Sequence, residues 1–80
     1  MQATDILLAR ITIDARILAG KPTIRGLRIS VQQILKALAA GQTPDELMRE
    51  YPELEPEDFR GVLLYAADVV GEQQVYRLSA

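Results

Sequence analysis

The residues with the clearest chemical potential are cationic side chains concentrated in the first half of the chain. Residues 20–31, GKPTIRGLRISV, carry Lys21, Arg25 and Arg28 together with two glycines and a proline. Cationic side chains presented on a rigid arm are suited to phosphate oxygens or to a groove of a duplex. The full set of predicted DNA contacts adds two arginines upstream and one downstream: Arg10, Arg16, Lys21, Arg25, Arg28 and Arg60.

Two other interpretations of these cations are open. The arginines can pair with acidic side chains of the predicted second and third helices, within the domain or across a dimer interface, or they can only solvate a connector. Exposed pairs of this kind contribute about 0 to 1 kcal/mol each. The predicted third helix is a poor recognition helix, because Glu57 and Asp58 precede its Arg60 in the first turns, where phosphate would have to approach.

The composition leaves little room for catalysis. Histidine and cysteine are both absent, which removes the usual general base and thiolate metal sites. The clustered carboxylates stand at predicted helix starts, where capping and solvation account for them. We predict no enzyme activity, no catalytic residue, no metal site and no cofactor.

Length and charge indicate a small domain that gains from a partner. The 80 residues predict one domain, 1–80, and a chain of this size buries only about 60% of its unfolded surface. The net charge of −2 hides a division: residues 1–36 carry +4, and residues 37–80 carry −6. The pI near 5.0 is low for a dedicated DNA binder. With no signal-peptide pattern and no long apolar run, we expect a cytoplasmic protein without membrane contact.

The elements that position the cations begin with a β-arm, residues 1–29. Polar and apolar side chains alternate in residues 10–14, which predicts a half-buried strand with Ile11 and Ile13 inward. Residues 21–24 predict a second extended run, with Gly20 and Gly26 turning the chain at either end. The arm is therefore a short hairpin.

A trihelical core, residues 30–71, follows. Ser30 caps the first helix and Gly41 ends it. Thr43, Pro44 and Glu46 together predict a capping box at the start of a short second helix. The third helix starts at Pro56 and ends near Gly71, and its apolar stripe is Phe59, Val62, Leu63, Ala66 and Val70. Three helices with tight turns and a short middle helix favour a helix-turn-helix topology in a mainly α fold.

In the C-terminal tail, residues 72–80, polar and apolar side chains alternate over residues 73–78, as is typical of a β-strand. We predict that it binds a partner through Val75, Tyr76, Arg77 and Leu78. The alternative is that it pairs with the N-terminal strand or with a second protomer.

Several motifs in order resemble one family. GKPTIRGLRISV, followed by ILKALAAGQTPDELMREYPELEPEDFRGVLLYA, is similar to domain-of-unknown-function family 433, over about residues 11–67. Leu27 and Glu55 depart from the family pattern, which usually has threonine at the first position and commonly a capping threonine at the second. Neither departure removes the fold.

The resemblance implies a homeodomain-like trihelical domain. For many members it also implies the antitoxin of a type II toxin-antitoxin pair, encoded beside a PIN-like ribonuclease, and no catalytic residues come with it. The expected partners are therefore a PIN-like nuclease toxin, operator DNA and a second copy in a homodimer or higher homo-oligomer. The alternatives are a stand-alone DNA-binding regulator and a structural dimerisation module.

Overall fold

A computed structural model describes residues 3–72 of the chain. Within this part the protein is mainly helical, with four α-helices and one two-stranded antiparallel hairpin. In chain order the elements are α1 (Ala3–Leu8), β1 (Ile11–Thr12), a single 3-10 turn (Leu18–Gly20), β2 (Thr23–Ile24), α2 (Val31–Ala39), α3 (Pro44–Glu50) and α4 (Pro56–Glu72). The mainly α fold with a leading hairpin is therefore confirmed.

The hairpin is held in register by two pairs, Ile11 with Ile24 and Thr12 with Thr23. Gly20 and Gly26 both have positive φ, +82° and +73°, as their predicted turn positions require. The strands are shorter than predicted, because the ladder ends at Thr12. Ile13, which we predicted to point inward, is 64% exposed.

Local capping rules account for α2 and α3. The Ser30 side chain accepts a hydrogen bond from the backbone N–H of Gln33 at 2.9 Å. Thr43 and Glu46 form the predicted reciprocal capping box, with Pro44 at the first helical position. After α2, Gly41 adopts φ +98°, which confirms the predicted left-handed ending.

The first helix is not anticipated by the sequence pattern. Residues 1–9 show too few apolar side chains to distinguish a strand from a helical turn, yet Ala3–Leu8 is helical and packs against α4. The contact is close: a Cβ placed on Gly61 would lie 2.7 Å from the carbonyl oxygen of Leu7. The absence of a side chain at Gly61 is what lets the α1 backbone meet α4.

One hydrophobic core joins the hairpin and the last three helices. Its buried members are Ile24, Ile29, Val31, Ile34, Leu47, Leu54, Phe59 and Val62. The predicted stripe of α4 is only half correct, because Leu63 is 54% exposed and Val70 is 64% exposed. The core thus takes the first part of α4 and leaves the second part on the surface.

Candidate functional site

The charged centre of the protein is Asp58, in the first turn of α4. Its side chain is 1% exposed, although Asp58 stands between exposed Glu57 and buried Phe59 in the sequence. Its Oδ2 accepts a hydrogen bond from the backbone N–H of Glu55 at 2.8 Å. This bond satisfies one of the unpaired donors at the helix start, so Asp58 supplies the capping contact that the Glu55 side chain does not.

Arg25 binds both oxygens of this carboxylate. Its Nε donates to Oδ1 and its Nη2 to Oδ2, each at 2.9 Å, in the two-pronged geometry that favours arginine over lysine. The same Nη2 also donates to the carbonyl oxygen of Glu53 at 2.6 Å. Arg25 therefore fixes the loop before α4 as well as its first turn.

The backbone of Arg25 is bent to reach Asp58. Arg25 and Gly26 are the central residues of a turn closed by the N–H of Leu27 on the carbonyl of Ile24, at 2.8 Å. Both central residues have positive φ, +48° at Arg25 and +73° at Gly26. A left-handed conformation costs a residue with a side chain about 1–2 kcal/mol. The turn hydrogen bond and the side-chain bonds to Asp58 and to the Glu53 carbonyl hold Arg25 in this conformation.

Arg10 completes the cluster from just before the neighbouring strand, at the same open end of the hairpin as Arg25. Its Nη1 donates to Oδ1 of Asp58 at 2.9 Å and to Oε1 of Glu55 at 2.8 Å. Its carbonyl accepts from the backbone N–H of Arg25 at 2.7 Å. Two arginines thus face two carboxylates, Asp58 and Glu55, and the charges balance. We call these four residues the Asp58 cluster.

Burial raises the pKa of the Asp58 carboxyl, but hydrogen bonds from Arg25, the Glu55 N–H and Arg10 outweigh burial. The pKa therefore lies below its usual value. Hydrogen bonds raise the pKa of both arginines, from Glu55 and then Asp58 onto Arg10, and from Asp58 onto Arg25. Asp58, Arg10 and Arg25 are therefore ionised at neutral pH.

The geometry makes the Asp58 cluster a structural clamp. Both oxygens of Asp58 are occupied by four donors, so the carboxylate has no open position for a substrate proton. The clamp ties the hairpin to the start of α4. Within residues 3–72, no group of three or more carboxylate, histidine or cysteine side chains is arranged to hold a metal ion.

The six predicted DNA contacts separate into two groups. Arg10 and Arg25 belong to the Asp58 cluster, and Arg16 pairs with Asp14 at 2.8 Å on the surface. Pairing with acids at the predicted third helix, the alternative interpretation, is thus observed for Arg10 and Arg25, whereas Arg16 pairs with a neighbour in the hairpin segment. Lys21, Arg28 and Arg60 are exposed. The structure does not bring the six side chains together on one surface, and their DNA-binding role stays a prediction.

An apolar groove lies between α4 and the start of α2. It encloses about 350 Å³, and its lining residues are Lys21, Pro22, Ser30, Val31, Gln32, Leu35, Tyr65, Ala66, Val69 and Val70. Lys21 is its only basic lining residue among the described residues. The predicted partner-binding residues Val75, Tyr76, Arg77 and Leu78 lie outside the described residues, and they follow directly after α4.

The role of Asp58 is not apparent from the sequence pattern. Asp58 reads there as one of the solvated acids that would repel DNA, like its neighbour Glu57. One signal was available: Asp58 stands three residues after the helix-flanking Glu55, where a carboxylate can reach back to the backbone. The arginines that bury it are 33 and 48 residues away.

Comparison with known proteins adds a family and one relative. Residues 11–66 match the family described as "Protein of unknown function (DUF433)". Over 64 residues the chain is 33% identical to "Uncharacterized protein y4eO" of Sinorhizobium fredii (strain NBRC 101917 / NGR234). The match covers 78% of this chain but 29% of that relative, so the chain spans less than a third of the relative's length.

No solved structure matches the chain significantly. Among the helices of residues 3–72, none combines the length and apolar character needed to cross a bilayer.

Proposed function

This chain belongs to the DUF433 family, and we propose that it acts by binding a protein, as the antitoxin of a type II toxin-antitoxin pair. Its partner is a PIN-like ribonuclease, and its core is a homeodomain-like trihelical domain formed by α2, α3 and α4. In this function the folded part is a scaffold, and the tail after Glu72 makes the inhibitory contact.

The observation that supports a protein partner over DNA is the internal use of the arginines. Arg10, Arg16 and Arg25 each form an ion pair with a carboxylate of the same chain. Only three of the six cations predicted to contact phosphate therefore remain outside ion pairs with carboxylates of residues 3–72. The chain as a whole has a net charge of −2, which also disfavours DNA. The second half of α4 presents apolar side chains to the groove, and the tail follows this helix in the sequence.

The tail has the chemistry to block a nuclease of this kind. A PIN-type active site is an acidic cluster that holds divalent metal, and a guanidinium inserted there competes for the same carboxylates. Arg77 is the candidate, with Tyr76 and Leu78 on either side as apolar anchors. Val75, two positions before Arg77 in the sequence, supplies a third apolar side chain.

Operator binding is a secondary activity in this proposal. It would rest on the exposed cations Lys21, Arg28 and Arg60, with a homodimer doubling the weak charge. The start of α4 is an unfavourable recognition surface, because Asp58 is buried in its cluster while Glu55 and Glu57 remain exposed.

Co-purification tests the proposal. The full chain is tagged and expressed with the untagged product of its neighbouring gene, and the bound material is assayed for metal-dependent ribonuclease activity. We expect a nuclease to co-purify with the wild type in a silent state. Arg77→Glu should release or reactivate it, because a carboxylate would repel the acidic site.

Arg16→Glu is the matched control, since it makes the same charge reversal at an arginine whose side chain is 88% exposed. It should leave the complex intact. Wild-type binding and inhibition by Arg77→Glu would show that this residue does not occupy the active site. If no nuclease is recovered with the wild type, the antitoxin function is wrong.

A further inference from the structure

Within residues 3–72, no element covers the second half of α4. All buried residues of this helix, Asp58, Phe59, Gly61 and Val62, fall within its first seven positions. None of residues 63–72 is buried, although Tyr65, Ala66, Val69 and Val70 all line the apolar groove. A helix of this length depends mainly on tertiary packing for its stability.

The groove surface carries both parts of a self-complementary contact. It has a concave apolar part, formed where α4 faces Pro22, Val31 and Leu35. It also has a projecting apolar side chain, Val70, which is 64% exposed. A two-fold interface uses the same patch on both subunits, so it requires a patch that offers a projection and a matching depression together.

The surface around the groove carries one basic and one acidic side chain that could pair between two copies. Lys21 stands at the groove as its only basic lining residue among those described. The last turn of α4 contains Glu72 and no basic residue, which leaves an acid at the negative end of the helix dipole. Glu72 follows Val69 by three positions and so lies on the groove side of α4. A second α4 crossing the groove in the opposite direction would bring its Glu72 toward Lys21.

We propose that two copies of this chain form a two-fold dimer through the groove side of α4, within residues 65–72, with Val70 of each copy seated in the groove of the other. Lys21 of one copy then pairs with Glu72 of its partner. The interface leaves the Asp58 cluster untouched. It does not depend on the proposed toxin.

The test is the oligomeric state of the full chain, measured by sedimentation over a range of concentrations. We expect a dimer for the wild type and at least a tenfold weaker dimer for Val70→Glu. Because Val70 is exposed, the unfolding midpoint of the monomer should not change. Leu63→Glu is the matched control: it is an apolar residue of the same helix, 54% exposed, outside the lining of the groove.

A charge exchange tests the orientation. Lys21→Glu should weaken the dimer, and Lys21→Glu combined with Glu72→Lys in the same chain should restore it. A second readout uses the absence of cysteine in the chain. Mixed Lys21→Cys and Glu72→Cys chains should form an intermolecular disulfide on oxidation, and mixed Arg28→Cys and Glu72→Cys chains should not.

Three outcomes would overturn the proposal. A wild type that remains monomeric would mean that something else covers the groove. A dimer that survives Val70→Glu but is lost with Leu78→Ser would be a dimer of tails. Equal loss with Val70→Glu and Leu63→Glu would place the contact elsewhere on α4.

Discussion

Arg25 holds both carboxylate oxygens of Asp58, through Nε and Nη2 at 2.9 Å each, across 33 residues of sequence. The pair joins the turn after β2 to the first turn of α4, and Arg10 adds a third segment at the same carboxylate. Buried ion pairs are not intrinsically strong sources of stability, but removing one partner leaves an uncompensated charge. The Asp58 cluster is therefore the place where a single substitution should have the largest effect.

Removal of the Asp58 charge should destabilise the whole domain. We expect Asp58→Asn to lower the free energy of unfolding by about 3 kcal/mol, because two arginines lose their shared buried partner. Urea denaturation followed by circular dichroism measures the change. Glu57→Gln, one position earlier and exposed, should change stability by less than about 0.5 kcal/mol. Equal effects at the two positions would contradict the clamp.

The same cluster predicts how stability depends on pH. The pKa of Asp58 is lower in the folded chain than in the unfolded chain, so the unfolded state binds more protons as the pH falls. The stabilisation is complete above the unfolded pKa of about 3.9 and is lost as pH falls through the folded pKa. We expect wild-type stability to fall more steeply than that of Asp58→Asn below about pH 5. Parallel curves would show that Asp58 does not titrate as described.

The hydrogen-bond geometry of the Arg25 side chain can be tested separately from its charge. Arg25→Lys keeps a cation next to Asp58 but loses the two-pronged geometry and the bond to the Glu53 carbonyl. We expect a loss of about 1–2 kcal/mol, smaller than for Asp58→Asn. Arg28→Lys is the control, because Arg28 is exposed three residues later. A neutral Arg25→Lys would mean that only charge matters at this position.

The contact between α1 and α4 should not tolerate a side chain at Gly61. Gly61→Ala would place a Cβ 2.7 Å from the Leu7 carbonyl oxygen, so α1 must shift. We expect a loss of about 1–3 kcal/mol. Gly71→Ala lies in the same helix with nothing within 4 Å of the added carbon. It should be neutral or stabilising by about 0.5 kcal/mol. Thermal unfolding of the two variants, in one buffer, distinguishes these opposite effects.

DNA binding, if it accompanies the proposed function, should depend on the exposed cations. We expect Arg28→Ala to weaken binding of a promoter fragment and to reduce its salt dependence without changing stability. Arg25→Ala is an ambiguous test, because it also breaks the Asp58 cluster. Fluorescence anisotropy at several salt concentrations measures DNA binding, and circular dichroism of the same samples shows whether a loss of binding comes from a loss of folding. Unchanged binding in Arg28→Ala would remove this residue from the interface.

Elements determined by neighbouring residues were predictable. The capping box of Thr43 and Glu46 needs only residues three apart, and the positive φ of Gly20 and Gly26 follows from the chemistry of glycine itself. These local rules predict the bounds of α2 and α3 with little information from tertiary contacts. They were sufficient to predict a mainly helical domain after a hairpin.

Features determined by distant contacts were not predictable from local pattern. Ala3–Leu8 becomes a helix because Leu7 packs on α4 at Gly61, more than 50 positions away along the chain. Asp58 is buried because Arg10 and Arg25 neutralise it, and no periodicity records that pairing. Ile13 alternates correctly for a buried strand, yet the ladder stops one residue before it. In each case tertiary structure overrode the local pattern.

The separation of the partners in the Asp58 cluster bears on the order in which the molecule assembles. Contacts across 33 and 48 residues raise the contact order of an otherwise locally built helical domain. During synthesis, Arg10 and Arg25 leave the ribosome well before Asp58 does. The ion pairs that fix the hairpin to α4 can therefore form only after the start of α4 has been synthesised. We therefore expect closure of the hairpin onto α4 to be the slow step of folding, after α2 and α3 have formed.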